Sequence, residues 1–333
     1  MRVLFSAALL FIFPVWLFGQ VSPSPDSDHD GLSDALEDAL LAQFQPHFRI
    51  HRGDCSNRPA EFVPFEPTPT VRADDGTIYG RAFPRSNNDK FDEIELHYYH
   101  LWPKDCGETP HRLDAEHVSV LLQQSAGSSW KAMYWYAAAH EDTVCDASQI
   151  ARAETLQAED HGAQVWISAG KHASFLANTF CRQGSGCGGD RCRNMEPLKV
   201  AKILNLGELQ APMNGAVWAR STEWPLSEKL ARSDFPESRM KLLEGRSAPQ
   251  IAWANPEKRP MQAAILGANS AVLGAFTGAS STNTALAATS DSTNSALNQA
   301  SQRTGNALAR SFHNFAKAIQ VSAEKTGQAL GSK

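Results

Sequence analysis

The sequence predicts a mainly β protein: a β-sandwich-like domain, preceded by a calcium loop plus helix and followed by an α-helical or partly disordered tail. Between about residues 47 and 255, short runs such as "EIELHYYHLW" and "AQVWISAG" are rich in aromatic and β-branched residues. They alternate with Gly, Pro, Asn and Asp, a pattern typical of strands separated by turns. A sandwich is the simplest architecture for such a stretch.

Composition divides the chain into four segments. Residues 1–19 are typical of a secretory signal, because one Arg precedes an apolar run that is short for a membrane span. An uncleaved anchor is the alternative. Residues 20–46 hold an acidic loop and a one-sided apolar helix, and residues 47–258 form the β domain. Residues 259–333 form a tail in which Ala, Ser, Thr and Asn are frequent.

The tail has two interpretations. Four large apolar residues in its C-terminal part fall at helical spacing among basic residues, and they are Leu308, Phe312, Phe315 and Ile319. This pattern favours a basic amphipathic helix that contacts a membrane peripherally or docks on the protein. The alternative is a partly disordered tail with one helix.

Charge and cysteine content narrow the classes of function. A formal net charge of -5 argues against nucleic acid as a partner, because no broad basic surface is available for phosphates. A signal segment predicts a secreted, periplasmic or cell-envelope protein. Six cysteines in that setting predict up to three disulfides in any of 15 pairings, although the cluster "CRQGSGCGGDRC" also permits a zinc knot. They are Cys55, Cys106, Cys145, Cys181, Cys187 and Cys192.

The stretch "DSDHDGLSDALE" matches the calcium-loop pattern D-x-[DN]-x-[DN]-G-x5-E at every fixed position. Calcium is a hard cation that takes six to eight oxygen ligands, and Gly31 permits the sharp turn. The alternative is an acidic solvated linker. We expect a single Ca²⁺ loop that fastens the N-terminal helix to the β domain. Its predicted ligands are Asp26, Asp28, Asp30, Leu32 through its carbonyl, Asp34 and Glu37.

A second metal site is predicted where a strand begins. With a period of two residues, Asp114 and Glu116 share a face that becomes apolar further along the strand. Burial of carboxylates at the edge of a core is costly unless a cation compensates them. Asp105 and His111 lie in the preceding turn. The mixture of oxygen and nitrogen donors favours a divalent cation such as Ca²⁺, Mg²⁺ or Mn²⁺.

The segment "PKD…HRLDAEHVSV" resembles the signature of the necrosis- and ethylene-inducing toxin family, in which a G-H-R-H-D-W-E heptapeptide follows a Pro-Lys-Asp. The resemblance implies a secreted β-sandwich with a divalent cation. Pro110, Leu113 and Ala115 depart from the heptapeptide, so cytolytic toxicity is not carried over. The ligands that the resemblance implies are Asp105, His111, Asp114 and Glu116.

Four pieces in order also resemble proteins related to vacuolar protein sorting-associated protein 62. They are "LAQFQPHFRIH", "DAEHVSVLL", "AAHEDTVCD" and "VWISAGKHASF". Such proteins often carry D-x-D-x-D-G loops beside a β domain. This resemblance implies a fold and a site rather than an activity.

Further polar residues lie at the ends of predicted strands, where loops collect functional groups. His140 and Glu141 close one strand, Lys171 and His172 follow another, and His100 shares a face with inward-pointing residues. Each histidine alone is more often structural. Together they predict a shared cleft, with Lys171, His172 and His100 as ligand-binding residues and His140, Glu141 and His172 as candidate catalytic residues.

Three functions are compatible with these features. The first is a secreted module that recognises a glycan or lipid headgroup at a metal-centred cleft. The second is a metal-dependent hydrolase of a phosphoester or glycan. The third is a structural cell-envelope protein held by disulfides and calcium. No G-x-S-x-G, P-loop or dinucleotide fingerprint occurs in the sequence.

Overall fold

A computed structural model describes residues 25–87, 90–107, 110–125, 129–207, 224, 229–230, 232–245 and 247–268. The chain forms two compact units, Met1–Pro256 and Glu257–Lys333. In the second unit, residues 259–268 are helical. The predicted signal segment and the amphipathic stretch around residues 308–319 lie outside the described residues. Within the described part of the chain, no helix is both long and apolar enough to cross a membrane.

Strands dominate the first unit, so the prediction of a mainly β fold is confirmed. The strands of the described residues are β1 (His47–His51), β2 (Glu61–Phe62), β3 (Val71–Ala73), β4 (Thr77–Asn87), β5 (Lys90–Asp105), β6 (His111–Gln124), β7 (Trp130–Ala137), β8 (Gln149–Arg152), β9 (Gln164–Ile167), β10 (Ser174–Phe175), β11 (Met195–Pro197), β12 (Lys202–Asn205) and β13 (Ile251–Trp253). The helices are α1 (Asp34–Gln43), α2 (Ala153–Leu156), α3 (Asn178–Arg182) and α4 (Glu237–Met240), with 3-10 turns at Lys241–Leu243 and Pro256–Lys258.

The strands form two main sheets. The larger sheet has the order β12-β4-β5-β6-β7-β8-β13, and the smaller has the order β10-β9-β1-β11. Pairing is antiparallel except between β12 and β4 and between β1 and β9. Strands β2 and β3 form a separate ribbon. The long antiparallel hairpin β5–β6 is the central element of the larger sheet.

The two main sheets share one apolar core. Alternate residues of β6, Val118, Val120 and Leu122, are buried together with Phe48 of β1 and Val165 of β9. The period-two interpretation of β6 is therefore confirmed. Because burial of one large apolar side chain contributes about 1.5–3 kcal/mol, this shared core is what holds the sheets face to face as a sandwich.

Helix α1 closes one side of this core. The side chain of Ser33 caps its first turn by accepting a hydrogen bond from the Leu36 N–H at 3.4 Å. Its buried face includes Leu41, whose carbonyl accepts a hydrogen bond from the Tyr98 hydroxyl at 3.1 Å. A Cβ at Gly80 of β4 would lie 2.8 Å from the Leu41 side chain, so glycine permits the close approach of helix and sheet.

All six cysteines form disulfides, which confirms the disulfide prediction and excludes the zinc knot. The bonds are Cys55–Cys106, Cys145–Cys187 and Cys181–Cys192. The first of these bonds joins the residue after Asp54 to the residue after Asp105, next to the second predicted metal site, and the third joins helix α3 to the loop that follows it. Stable disulfides need an oxidising compartment, in agreement with export of the chain.

Candidate metal centre and adjoining cleft

The hairpin β5–β6 brings three of the predicted ligands together. Asp105, the last residue of β5, pairs with His111, the first residue of β6. Donor atoms of Asp105, His111 and Asp114 all lie within 4.8 Å of one another, with 3.9 Å between His111 Nε2 and Asp105 Oδ2. Because calcium–oxygen distances are about 2.3–2.6 Å, donors spaced in this way fit around one cation.

Neighbouring backbone groups orient these donors. The Leu113 carbonyl lies 3.2 Å from His111 Nδ1, so a proton on Nδ1 leaves the Nε2 lone pair directed towards Asp105. Leu113 itself has a left-handed φ of 62°, which is costly for a leucine inside a strand. On the other side, the Gly107 N–H donates to Asp105 Oδ1 at 2.6 Å. The local backbone thus holds both side chains at the rim.

A hydrogen bond to His172 positions the Asp114 side chain. Its Oδ2 lies 3.1 Å from His172 Nδ1, while His172 Nε2 faces the Ser56 carbonyl at 3.2 Å and Asp54 Oδ1 at 3.5 Å. Burial by itself would lower the pKa of His172, but hydrogen bonds to Asp114 and Asp54 outweigh burial and raise it to about 9. The imidazole therefore links two carboxylates.

Glu116, the fourth predicted ligand, lies beside a lysine instead of within this group. Its Oε2 is buried, has no hydrogen-bond partner among the described residues and lies 3.8 Å from Lys229 Nζ. Burial raises the pKa of Glu116 to about 8, although the positive charge of Lys229 opposes the increase. The ammonium of Lys229 donates to the Ala115 carbonyl at 2.5 Å. Lys229 thus supplies positive charge where the sequence predicted a metal contact.

The predicted ligand-binding roles of His100 and His172 need correction. Both side chains are fully buried. The ring of His100 contacts Ser174 Oγ at 3.0 Å through Nε2 and accepts a hydrogen bond from Trp102 Nε1 at 2.8 Å. A side chain without solvent access and with both ring nitrogens engaged cannot contact a ligand. Each therefore positions neighbouring groups.

The predicted catalytic residues are engaged with separate partners. His140 Nε2 lies 2.9 Å from Asp190 Oδ1. Burial lowers the pKa of His140, but the hydrogen bond to Asp190 outweighs that effect and leaves the pKa raised. Glu141 accepts a hydrogen bond from the Tyr136 hydroxyl at 2.5 Å and pairs with Arg232. Strand β7 ends at Ala137, so His140 and Glu141 lie in the following turn and do not close the strand.

A basic cleft adjoins the candidate centre. A cavity of about 230 Å³ is lined by Cys106, Gly107, Lys171 and Arg191, among others. It shares Cys106 and Arg191 with a larger cavity of about 900 Å³ that Arg182 and Arg193 also line. Ligand sites in proteins commonly have volumes of about 300–1,000 Å³. The cleft therefore offers an anionic ligand both space and guanidinium groups.

The N-terminal loop forms a separate carboxylate cluster. Donor atoms of Asp26, Asp28 and Asp30 lie within 4.8 Å of one another, and the turn passes through Gly31 with a φ of 96°. Burial is the main cause that raises the pKa of Asp28 and of Asp30, and repulsion from Asp26 adds to it. Asp26 Oδ1 is buried without a hydrogen-bond partner in the described chain. These properties fit a calcium site.

Other residues of the loop join it to the sandwich. Asp34 accepts hydrogen bonds from the Ser27 N–H and Oγ, both at 2.7 Å, which closes the loop onto the first turn of α1. The buried Glu37 accepts from Asn205 Nδ2 of β12 at 3.4 Å. Leu32 places its side chain in the core, which leaves its carbonyl as the group predicted to bind calcium. The roles of these three residues as calcium ligands stay predictions.

Several residues that surround the candidate metal centre belong to no motif in the sequence. They are Asp54, Trp102, Asp190 and Lys229. Asp54 is next to Cys55, and Asp190 lies within the cysteine cluster, so disulfide pairing is the feature that could have placed them near the site. Lys229 is 113 positions from Glu116 and has no motif around it.

Comparisons with known proteins find similarity to solved structures only. No family model matches the chain, and no curated protein matches it. Among solved structures, NLPPya in complex with glucosamine is 15% identical, with 63% of this chain and 94% of that chain covered at a TM-score of 0.37. Necrosis and Ethylene inducing Protein 2, from the causal agent of cocoa's witches' broom disease, is 19% identical, with coverages of 61% and 87% at 0.32. Non-toxic HaNLP3 is 15% identical, with coverages of 60% and 84% at 0.36. Structural similarity at these TM-scores does not assign a function to this chain. The resemblance to vacuolar protein sorting-associated protein 62 stays a prediction.

Proposed function

We propose that this protein is a secreted recognition module that binds a glycan or lipid headgroup through a divalent cation. The observation that carries the proposal is the convergence of Asp105, His111 and Asp114 at the rim of the sandwich. The His111 side chain is 53% exposed and that of Asp105 is 12% exposed. A cation held there keeps positions open to solvent, and these are available to hydroxyl or phosphate oxygens of a ligand.

The adjoining cleft supports an anionic ligand in particular. Lys171 and Arg191 line the small cavity that also contains Gly107, the residue next to the Asp105 turn. A headgroup or sugar that coordinates the cation through its hydroxyls can place a phosphate, sulfate or carboxylate against these cations. Guanidinium groups bind such oxyanions with paired hydrogen bonds, which gives both affinity and orientation.

The alternatives receive less support from the geometry. In a hydrolase, a general base must reach the metal-bound water, yet Glu141 is engaged by Tyr136 and Arg232, and His172 is buried between carboxylates. His140 is paired with Asp190. The hypothesis of a structural envelope protein requires attachment through the tail, and most of the tail lies outside the described part of the chain.

Binding to glycan arrays and to liposomes tests the proposal. The full chain should bind in the presence of Ca²⁺ and lose binding in EDTA, and Asp114→Asn should lose it at every Ca²⁺ concentration. Asp160→Asn is the matched control, because Asp160 is exposed and pairs only loosely with Lys131 at 3.4 Å. Binding that persists in both EDTA and Asp114→Asn would contradict the proposal. The two arms, anionic glycans and vesicles with anionic headgroups, distinguish the source of the ligand.

The basic cleft gives a second test. Arg191→Ala should weaken binding of an anionic ligand about 10–150-fold, because a hydrogen bond to a charged group contributes about 1.5–3 kcal/mol. The effect should decrease at high salt. Arg52→Ala is the control, since Arg52 forms an exposed pair with Glu196 on the surface. Equal binding by Arg191→Ala and wild type would exclude the cleft from the ligand site.

A further inference from the structure

A third cluster of potential metal ligands lies on the face of the β5–β6 hairpin that points away from the core between the sheets. Leu96 and Val118 face the core between the sheets, so their neighbours His97 and His117 point to the other side. There they meet Asp234 from the segment after β12. The donor atoms of His97, His117 and Asp234 lie within 4.8 Å of one another, and all three side chains are completely buried.

Each histidine directs one ring nitrogen to a common point. His117 Nε2 lies 2.8 Å from Asp234 Oδ2, and His97 Nδ1 lies 3.5 Å from the same oxygen. Around a tetrahedral ion with bonds of about 2.0–2.1 Å, ligand atoms are separated by about 3.3 Å, and the 3.5 Å between His97 Nδ1 and Asp234 Oδ2 is close to this separation. The 2.8 Å contact of His117 with Asp234 is a hydrogen bond, and Asp234 Oδ2 also accepts a hydrogen bond from Ser119 Oγ at 2.6 Å, so His117 and Asp234 would move apart by about 0.5 Å to hold an ion. Neither His97 Nδ1 nor Asp234 Oδ1 has a hydrogen-bond partner in the described part of the chain.

The remaining ring nitrogen of each histidine faces a carboxylate. His97 Nε2 lies 3.1 Å from Glu95 Oε2, and His117 Nδ1 lies 3.6 Å from Glu141 Oε2. Metal-bound histidines almost always present the second nitrogen to a carboxylate or carbonyl, which fixes the tautomer and strengthens the ligand. Two histidines, each between an outer carboxylate and a shared inner one, are compatible with a metal site, and His117 Nδ1 makes no hydrogen bond in the described part of the chain.

The carboxylates around the cluster outnumber the arginines that pair with them. Three arginines pair with the carboxylates of the cluster and of its immediate surroundings. Arg85 pairs with Glu93 and Glu95, Arg232 with Glu141 and Asp142, and Arg239 with Asp234. These described pairs hold five carboxylates against three guanidinium groups.

We propose that His97, His117 and Asp234 bind a structural Zn²⁺ ion, or a transition metal of similar preference, separate from the candidate centre at Asp105. Imidazole and carboxylate donors suit zinc, whereas calcium prefers oxygen donors alone. The six cysteines are all in disulfides, so no thiolate of this chain competes for the ion. Because the cluster is buried, the ion would connect β5 and β6 to the segment around Asp234 rather than act on a substrate.

Elemental analysis of the full chain tests this proposal. Protein folded in the presence of Zn²⁺ and then dialysed against metal-free buffer should retain one zinc per chain. The His97→Gln/His117→Gln variant should lose that zinc, and Asp105→Asn/Asp114→Asn, which removes donors from the other centre, should keep it. Zinc retained by the histidine variant, or absent from wild type that contains all three disulfides, would overturn the proposal.

Two further measurements keep the test decisive if the double variant does not fold. Co²⁺ in place of Zn²⁺ should give wild-type protein visible d–d absorption, with histidine among the ligands; its absence from Co²⁺-loaded protein would also overturn the proposal. Glu95→Gln, which leaves all three ligands in place, should weaken zinc binding about 10–100-fold. Unchanged affinity in that variant would contradict the role assigned to Glu95.

Discussion

The imidazole of His172 lies flat against the indole of Trp102, with 4.1 Å between ring centroids and 9° between ring planes. Trp102 is part of the core, and it pairs across the hairpin with Asp114. His172 in turn contacts Asp114 Oδ2 at 3.1 Å. The position of one candidate metal ligand is thus determined by the packing of the sandwich itself, through one stacked pair of rings.

Replacement of His172 with Gln should reduce both stability and metal affinity. Asp54 and Asp114 would lose a shared partner in a buried setting, and loss of one member of such a network costs about 3–5 kcal/mol of unfolding free energy. The affinity of the centre for its cation should decrease about 10–100-fold, because His172 orients a ligand. Urea unfolding and calorimetric titration measure the two effects.

His161→Gln is the control for that experiment. His161 is exposed and stacks on His47 at 5.9 Å, so its replacement should change stability by less than about 0.5 kcal/mol. Wild-type stability and wild-type metal affinity in His172→Gln would show that the stacked imidazole does not support the centre.

Removal of Lys229 should have opposite effects on stability and on metal binding. Lys229 Nζ lies 3.8 Å from Glu116 and 4.0 Å from Glu141, so Lys229→Met leaves both buried carboxylates without this cation. In EDTA the variant should be less stable by about 3–5 kcal/mol. Addition of Ca²⁺ or Mn²⁺ should recover more stability than in wild type, because Glu116 becomes available as a ligand. Lys131→Met, at an exposed pair, should show neither effect.

Thermal unfolding with and without divalent cation checks the Lys229 prediction. If the cation stabilises Lys229→Met no more than it stabilises wild type, Glu116 is not a potential ligand of the centre.

Gly207 should be required for the calcium-bound form of the N-terminal loop. A Cβ at this position would lie 2.6 Å from Asp28 Oδ2. Without calcium the Asp28 side chain can move aside, whereas a bound ion would hold it in place. Gly207→Ala should therefore reduce the increase in melting temperature that calcium produces, with little change in EDTA. Gly267→Ala, where a Cβ meets nothing within 4 Å, is the control. An unaltered calcium effect in Gly207→Ala would argue against Asp28 as a ligand.

The Cys55–Cys106 disulfide should stabilise the candidate centre as well as the fold. It links residues 51 positions apart, which corresponds to about 4 kcal/mol from restriction of the unfolded chain. It also fixes the turn next to Asp105. The Cys55→Ser/Cys106→Ser variant should lose stability of this order and bind cation more weakly at the centre. Cys145→Ser/Cys187→Ser should lose similar stability without the second effect. Equal cation affinity in both variants would contradict this assignment.

The parts of the site that sequence reasoning predicted are those that one hairpin or one loop brings together. Asp105, His111 and Asp114 are close because β5 and β6 are consecutive antiparallel strands, and Asp26, Asp28 and Asp30 because a glycine turn follows them. Period-two alternation also predicts that the His100 side chain points inward, and the structure confirms this.

The sequence could not predict how deeply a side chain is buried or which residues far apart in the chain contact one another. Alternation predicts the face of a strand but not how deeply a side chain is buried, so it does not distinguish a ligand contact from the completely buried position that His100 occupies. His172, Lys229 and Asp234 come from segments far from β6, and tertiary packing alone brings them to it. The arrangement of charged side chains around Glu116 and His117 can therefore be derived only from the folded structure.

The most direct test of the central claim is anomalous diffraction from crystals grown with Mn²⁺. A cation-dependent recognition site requires an anomalous peak within bonding distance of Asp105, His111 and Asp114, about 2.0–2.6 Å from each donor atom. Such a peak, absent from crystals of Asp114→Asn, is the result that we expect. Crystals that show manganese at the Asp26–Asp30 loop but none within bonding distance of Asp105, His111 and Asp114 would contradict the account.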